Sequence, residues 1–585
     1  MNTAETPAVF EADTAGLAAA GRAASEAPAW HFAGRDPHVY ARVRDALGDA
    51  GPEVSGGPLG EIVDELRGEY LELLGEVPTG PDDVAWFEST AAEKQFGESC
   101  VMREAALSVR AARLLAEKPG LVVVAENARV AAHLRGDAAP VTPPAKPSLR
   151  SVATFTAAHL DRARRSRAAL PGAIATARDA GPLTVLVAWL DARSMGNDGT
   201  YRDPYFGDLV ERARADGRAI AVVPVLVPGT DLDAALRFMA AHDVTFLPPH
   251  LLVTLADIRA ASRPAPPRSF RDAGALGGVA LEPLLTADAA HDVAARSVWF
   301  NRLVATVPGH LRTAGVDVAR VIMPFENLNW EKRLLLAWRR SFPDAQVVGY
   351  QHSTLTHRKL RYFASARETS ISPLPDSIVT NSETAHGLLA PVFGDRLTPG
   401  GALRYADLAS CERLPAPETP CIVAALSLEL SEAAESLSTL VEAFGDGDVP
   451  VIVKPHPVAD TDALLAAAGA TSLPAGFELL DARTPAPLEQ ASVLVATSST
   501  IVLEAIARDV PVVTLELARA VNESPLLEAR DACAWAYGAE ELQARVGDAI
   551  ERGQALRDEM HPVWSDTVSG MVSPAGPETY RALLG

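Results

Sequence analysis

Cysteine is scarce in this chain. Four residues in 585 (Cys100, Cys411, Cys421 and Cys533) stand apart with no Cys-x-x-Cys pair. That excludes a disulfide scaffold and a cysteine-held zinc site, and fits a reducing cytosol. Basic charge is also short: 53 Lys and Arg face 75 Asp and Glu, for a net charge of −22. A general nucleic-acid binder needs a basic face against phosphate, and a polybasic membrane anchor needs the same, so both are disfavoured. No apolar run approaches the ~18–20 residues that cross a bilayer. The segment from Met1 to Trp30 carries Glu5, Glu11 and Asp13 and lacks a basic start followed by an apolar stretch, so it does not read as a secretory leader. The expectation is an acidic, soluble, cytoplasmic protein with no transmembrane segment and at most peripheral contact with the inner membrane face. At 585 residues the chain exceeds what one core serves, and two or three domains are expected.

The first thirty residues are rich in Ala without a clear period, which predicts poor order. Helices are expected over Pro58 to Leu74 and Val84 to Glu117, followed by a buried strand at Leu121 to Val124. The proline-rich stretch Pro140 to Pro147 marks a linker. Residues 1–140 are thus expected to form a largely helical extension. From Leu183 the texture changes to short Val-, Ile- and Leu-rich runs alternating with helical segments: Leu183–Leu190, Ala219–Val227, Val318–Met323, Gln346–Tyr350 and Ser377–Thr380. It resumes after Pro420 with Cys421–Ala425, Val451–Lys454, Val493–Ala496 and Val510–Leu515. Continuous apolar strands between helices indicate parallel sheets covered on both faces. The fold class is α/β, with two doubly wound Rossmann-like domains over 150–395 and 400–561 facing one cleft. Residues 562–585, with Trp564 and Tyr580, are expected to pack back onto an earlier domain.

In such folds ligands lie beyond the carboxyl ends of the strands, so the residues that follow each strand are the candidates. After Val451–Lys454 come Pro455-His456-Pro457. Two prolines fix the backbone and place His456 beside Lys454, where imidazole and ammonium can serve a departing phosphate. A tight turn with a capping His is the plainer alternative. After Val493–Ala496 come Thr497, Ser498, Ser499 and Thr500, opening a helix. One hydroxyl suffices for a cap, and four suit an anion. Glu504, one turn on, either reaches a ribose or is simply solvated. His456 and Ser498/Ser499 are expected at neighbouring strand tips, gripping one phosphate. After Val318–Met323, Glu326 stands where a carboxylate can take an acceptor proton, or cap the next helix; Glu331 follows. After Gln346–Tyr350 come Gln351, His352 and Ser353, then the basic run His357-Arg358-Lys359-Leu360-Arg361. His352 is the better candidate than His357, and the run reads either as an anion-receiving edge or as a solvated helix face. After Leu183–Leu190, the loop with Asp191, Asp198 and Tyr201 suits an acceptor, with Asp191 or Asp198 competing with Glu326 as base; its Gly-Asn-Asp-Gly is also an ordinary turn sequence. Arg404 lies at the domain boundary, as a hinge residue or a connector.

Together these residues resemble the GT-B glycosyltransferases that build bacterial surface carbohydrates. Lys454-Pro455-His456-Pro457 followed by Thr497-Ser498-Ser499-Thr500, Glu504 and Pro511 is similar to the donor half of capsule and lipopolysaccharide transferases. In sialyl- and Kdo transferases a His-Pro motif and a paired-Ser motif hold the CMP of the donor, and His456-Pro457 and Ser498-Ser499 match them in type and order. Glu326-Asn327 through Gly349-Tyr350-Gln351-His352-Ser353, and the segment from Trp86 to Lys94, resemble proteins known only for surface carbohydrate biosynthesis. The acidic motif of the sialyltransferases, two carboxylates then Gly, is absent, and Glu326-Asn327 stands in its place by position.

The resemblance implies a GT-B fold and a CMP-activated 2-keto sugar acid as donor (Kdo, sialic acid or another nonulosonic acid). It implies a glycan or lipid-linked glycan acceptor, with neither cofactor nor metal; no Asp-x-Asp follows a strand. Glu326 and His456 would be catalytic. Lys454, Pro457, Thr497, Ser498, Ser499, Thr500, Glu504, Gln351, His352, Ser353 and Arg404 would hold the donor, and Asp191, Asp198, Tyr201 and Arg358 the acceptor. The competing readings are a CDP-glycerol-type polyol-phosphate transferase, a transferase using a nucleotide-diphosphate sugar, a UDP-sugar epimerase, and a non-catalytic nucleotide-sugar-binding scaffold.

Overall fold

The structure is a computed structural model that describes residues 8–48, 50–142, 146–196, 200–265, 268–405, 408, 411–470 and 472–585. Two parallel sheets dominate it. The first has seven strands. Leu183–Leu190 and Val318–Pro324 lie at its centre. Ile220–Leu226 and Thr245–Phe246 extend one side, and Gln346–Gln351, Ser377–Thr380 and Leu397–Thr398 the other. The second has six. Ile422–Ala425 and Val493–Ala496 are central, with Val451–Lys454 and Phe477–Leu479 on one side and Val512–Glu516 and Ala534–Tyr537 on the other. In each sheet the winding reverses between the two central strands, which leaves a crevice at their carboxyl ends.

The strands form because both faces are covered. Within the second sheet, Ile422, Ala424, Val451, Val453, Val493 and Val495 join one core, packed by helices Leu430–Phe444 and Gly538–Met571. Their alternates Val423, Ala425, Ile452, Leu494 and Ala496 join a separate core with helix Ile501–Ala507 and Trp564. A period of two thus splits one apolar run between two cores. Leu494 is fully buried in the middle of this arrangement. Leu494→Ala should destabilise the protein by about 2–5 kcal/mol, read from the denaturant midpoint.

The N-terminal segment differs from the sequence reading. From Ala8 onward, where the described residues begin, the segment is ordered: Ala8–Glu11, helix Thr14–Ala24 and Trp30–Ala33 precede Val122–Ala125, and the three strands make a small parallel sheet with Val122–Ala125 in the middle. Short side chains such as Ala20 and Ala24 let the helix lie close on that sheet. The single helix expected over Val84 to Glu117 is three: Val84–Phe87, Thr90–Glu93 and Cys100–Glu117. Ser89 and Ser99 cap the second and third, and Lys94 ends the second at φ +58°. Local capping outweighs helix propensity there.

Helix Leu59–Glu76 carries this N-terminal unit onto the larger ones. Gly60 lies directly under the Arg358 guanidinium, and a Cβ there would sit 2.3 Å from Nη1. After Gly538–Met571 the chain crosses back. Ser573 O accepts from Ala402 N at 2.8 Å, and helix Pro577–Leu584 lies on the first sheet's domain. Leu583 and Leu584 are buried in that domain's core, and Tyr580 donates to Asp208 at 2.5 Å. Among the described residues no helix is long and apolar enough to cross a membrane.

Candidate functional site

The carboxyl ends of both sheets are joined by a chain of charged side chains. Arg361, in the turn Leu360–Tyr362, lies at its centre. Its Nε is 3.4 Å from Glu326 Oε2, at the end of Val318–Pro324. Its Nη1 is 3.8 Å from Glu523 Oε2, in the loop after Val512–Glu516 of the other sheet. Glu523 N donates to Ser498 Oγ at 2.8 Å, and Ser498 N donates to Glu432 Oε1 at 2.9 Å. A line of polar contacts therefore runs from the first sheet's crevice to the second's.

Glu326 is a stable anion. Burial pushes its carboxyl up, but Arg361, His352 and Lys359 together hold it at about 2. His352 Nε2 is 3.7 Å from Glu326 Oε1. Burial pushes this imidazole down to about 4, with Arg404, Arg361 and Lys359 acting the same way against Glu326. Tyr205 packs on the His352 ring at 4.5 Å between centroids, and the Arg404 guanidinium lies 5.3 Å from the Tyr205 ring centre. Burial, with Arg361 and Arg404 acting the same way, brings Lys359 down to about 8 against the opposing pull of Glu523 and Glu326, and it donates to Thr354 O at 2.7 Å.

His456 faces this cluster from the second sheet. Burial, then Lys454, Arg193 and Arg404, lower its pKa to about 4. Arg193 and Arg404 follow the first sheet's strands, so the imidazole lies within range of charges from both domains. Val458 N donates to His456 Nδ1 at 3.4 Å. The ring is then neutral with its proton on Nε2, which makes Nε2–H a donor free to meet an anion. His456 and Ser498 lie on the same edge of the sheet, at the ends of Val451–Lys454 and Val493–Ala496, but their strands are not neighbours. Ile422–Ala425 runs between them, which sets the tips about 9–10 Å apart.

Several other candidates have partners within the chain. Gln351 is fully buried, takes Asn381 N at 3.3 Å and donates to Ser353 O. Ser353 Oγ pairs with Tyr362 OH at 2.7 Å. Lys454 Nζ donates to Ala482 O at 2.8 Å and to Pro455 O, clamping the turn that presents His456 and Pro457. Ser499 Oγ lies 3.5 Å from Ile501 N, and Thr500 is the N-cap residue without a side-chain cap bond. Thr497 is buried at the strand end. Glu504 is 3.6 Å from Arg508 on its own helix. Glu331 accepts from Glu326 N and Leu328 N at 2.9 and 3.2 Å, closing the loop in which Asn327 adopts φ +59°. Asp191 caps the turn Ala192–Ser194 and chelates Arg193. Tyr201 is buried and donates to Asp203 at 3.0 Å. Asp198 lies outside the described residues.

The basic run is not a solvated helix face. Arg358 is 2% exposed and engages Asp64 at 2.9 Å, Glu516 at 3.1 Å and Asn522 O at 3.2 Å. Its donors are thereby committed to a junction of three units and not offered to an acceptor. His357 sits between Glu528 at 2.6 Å and Asp64 at 3.2 Å, and those bonds raise its pKa to about 9. A histidine raised in the folded state stabilises fully below its ordinary 6.5, and the contribution is lost as pH climbs through about 9. The denaturant midpoint of the wild type should therefore fall between pH 6.5 and 9.5 more steeply than that of His357→Gln.

Sequence reasoning missed Glu432 and Glu435, on the helix after Ile422–Ala425, because carboxylates on a helix read as solvent-facing. Glu432 is buried and raised to about 7 by burial, against Thr497 and Ser498. Glu435 accepts from Ala518 N at 2.7 Å. Arg361 was visible in the basic run, but nothing local marked Glu523 as its partner.

No family model and no curated protein matches the chain. Solved structures do. A glycosyltransferase from Rickettsia africae aligns at 10% identity over 69% of this chain and 96% of its own, with TM-score 0.36. MurG from Acinetobacter baumannii aligns at 12% over 69% and 98%, TM-score 0.36. The UDP-GlcNAc 2-epimerase from Neisseria meningitidis aligns at 10% over 68% and 97%, TM-score 0.38.

Proposed function

We propose that this protein is a GT-B-type glycosyltransferase, working in the cleft between its two large sheets on a nucleotide-activated sugar. One observation carries the reading. In a chain of net charge −22, Arg193, Arg361, Lys359 and Arg404 gather at the carboxyl ends of one sheet, opposite a neutral His456 on the other. Cations with a free imidazole N–H suit phosphate and carboxylate groups. The sequence resemblance favours a CMP-activated 2-keto sugar acid, whose phosphodiester and carboxylate offer two anions to these cations.

In this reading His456 Nε2–H and Arg404 bind the donor phosphate. Donor hydrogen bonds aimed at the oxygen that gains charge as the C–O bond breaks lower the barrier. Ser498 is held by Glu432 and Glu523 and shapes the crevice floor. Glu326, held anionic beside Arg361, positions that guanidinium. The acceptor hydroxyl attacks the anomeric carbon, and the nucleotide leaves with the bonding pair. Calorimetry with CMP, CDP, UDP and GDP tests the donor class: CMP should bind at least tenfold tighter than UDP. Equal affinities would favour a nucleotide-diphosphate sugar, and interconversion of a UDP-sugar without acceptor would mark an epimerase.

A further inference from the structure

Arg361 is met by carboxylates from three separate units. Glu326 belongs to the first sheet's domain, Glu523 to the second, and Glu93 to the N-terminal segment; each acts on the Arg361 charge. The first two are within ion-pair distance of it. Glu93 differs: among the described residues its carboxylate makes no hydrogen bond or ion pair, and the residue is half-buried. Its backbone is nevertheless held firmly. Asp292 accepts from Thr90 N and Oγ1 at 3.0 and 2.5 Å, and Lys332 Nζ donates to Ala92 O at 2.8 Å. Lys94 follows in a left-handed conformation and binds both oxygens of Glu368 at 2.6 Å. Fixed backbone with an uncommitted carboxylate at a charged cleft is costly to keep for packing alone.

We infer that the N-terminal unit completes the active site, and that Glu93 is the general base that takes the proton of the acceptor hydroxyl. This rests on the transferase reading above. The acceptor oxygen forms its bond to the anomeric carbon, the carbon–oxygen bond to the nucleotide phosphate breaks with its electron pair on the nucleotide, and the hydroxyl proton passes to a Glu93 oxygen and then to water. Glu326 suits the role poorly, because an acid with a pKa of about 2 holds a proton weakly. Glu93 has the opposite balance. Burial and Glu98 raise it to about 7, opposed by Arg361 and Lys332, with Glu326 raising it further. Asp292, raised to about 6 by burial, packs on this helix through Thr90, Lys332 bonds it at Ala92 O, and Lys94 caps its end. Glu88 is engaged by Arg302.

The test measures nucleotide release with water as acceptor, using CMP-N-acetylneuraminic acid and UDP-N-acetylglucosamine, from pH 5.5 to 9, with CMP and UDP affinity in parallel. Glu93→Gln should lower kcat by roughly 10²–10⁴, remove the acid limb centred near pH 7, and leave nucleotide affinity within about twofold. Glu93→Asp, which retracts the carboxylate by one methylene, should keep the acid limb at a reduced rate. A Glu93→Gln enzyme with wild-type kcat and an unchanged acid limb overturns the inference while leaving the transferase reading intact. Loss of nucleotide affinity in parallel with rate also overturns it, since a base has no call on the free nucleotide. A wild type that neither binds nor cleaves any nucleotide removes both.

Discussion

Replacing His456 by alanine should lower nucleotide release by roughly 10²–10³, the cost of one hydrogen-bond donor aimed at a leaving oxygen. The fold should be indifferent. The side chain accepts one long bond from Val458 N and lies outside the packed cores. His456→Gln, which keeps an N–H donor on a longer stem, should recover part of the rate. The pH profile adds a second check. A ring lowered to about 4 by burial and by Lys454, Arg193 and Arg404 is neutral throughout the physiological range, so kcat should show no basic limb from loss of an imidazolium. Binding an anion offsets those cations, so CMP should raise the His456 pKa, visible as proton uptake on binding below pH 6. A fully active His456→Ala enzyme would sink the role assigned to this residue.

The largest stability effect is expected at Arg358. Its guanidinium is buried and satisfies Asp64, Glu516 and Asn522 O together. Arg358→Ala leaves the buried Glu516 carboxylate with only the longer 3.7 Å contact to the half-exposed Arg530, at a cost of about 3–5 kcal/mol. Arg358→Met, which fills the volume over Gly60 without charge, should lose nearly as much, because Glu516 still loses its buried, hydrogen-bonded partner. Arg358→Met with Glu516→Leu should recover most of the loss, since a buried ion pair replaced as a unit is near neutral. The readout is the denaturant midpoint of the full chain. Because this junction joins helix Leu59–Glu76 to the second sheet's domain, the single variants should also raise KM by loosening the cleft.

The two large sheets were legible because their chemistry is local. Val493–Ala496 and Val451–Lys454 are apolar runs of strand length that end in polar turns, and pleating distributes their side chains to two cores without further information. The carboxyl-end rule then marked His456, Ser498, His352 and Glu326 as residues of strand tips. The order of those tips was not legible. Nothing in Lys454-Pro455-His456-Pro457 says that Ile422–Ala425 inserts between it and Ser498. The same limit explains the basic run. The run holding Arg358 and Arg361 reads either as an anion-receiving edge or as a solvated face, because their partners, Asp64, Glu516 and Glu523, lie more than 150 residues away in the chain. The N-terminal sheet escaped notice for another reason. Ala8–Glu11 and Trp30–Ala33 are four-residue strands, and among the described residues five helices, two of them 18 residues long, separate Trp30–Ala33 from its partner Val122–Ala125. Glu93 sat inside a segment that reads as one long helix, and only the Ser89 and Ser99 caps mark the breaks that set it at the cleft.

The most direct measurement is a structure of the full chain with CMP bound. The account predicts the phosphate within hydrogen-bond distance of His456 Nε2, with Arg404 against it from the opposite domain. The phosphate bound instead in the surface groove of Arg212, Arg218 and Tyr580, near 590 Å³ in volume and on the far domain's C-terminal helix, would contradict it.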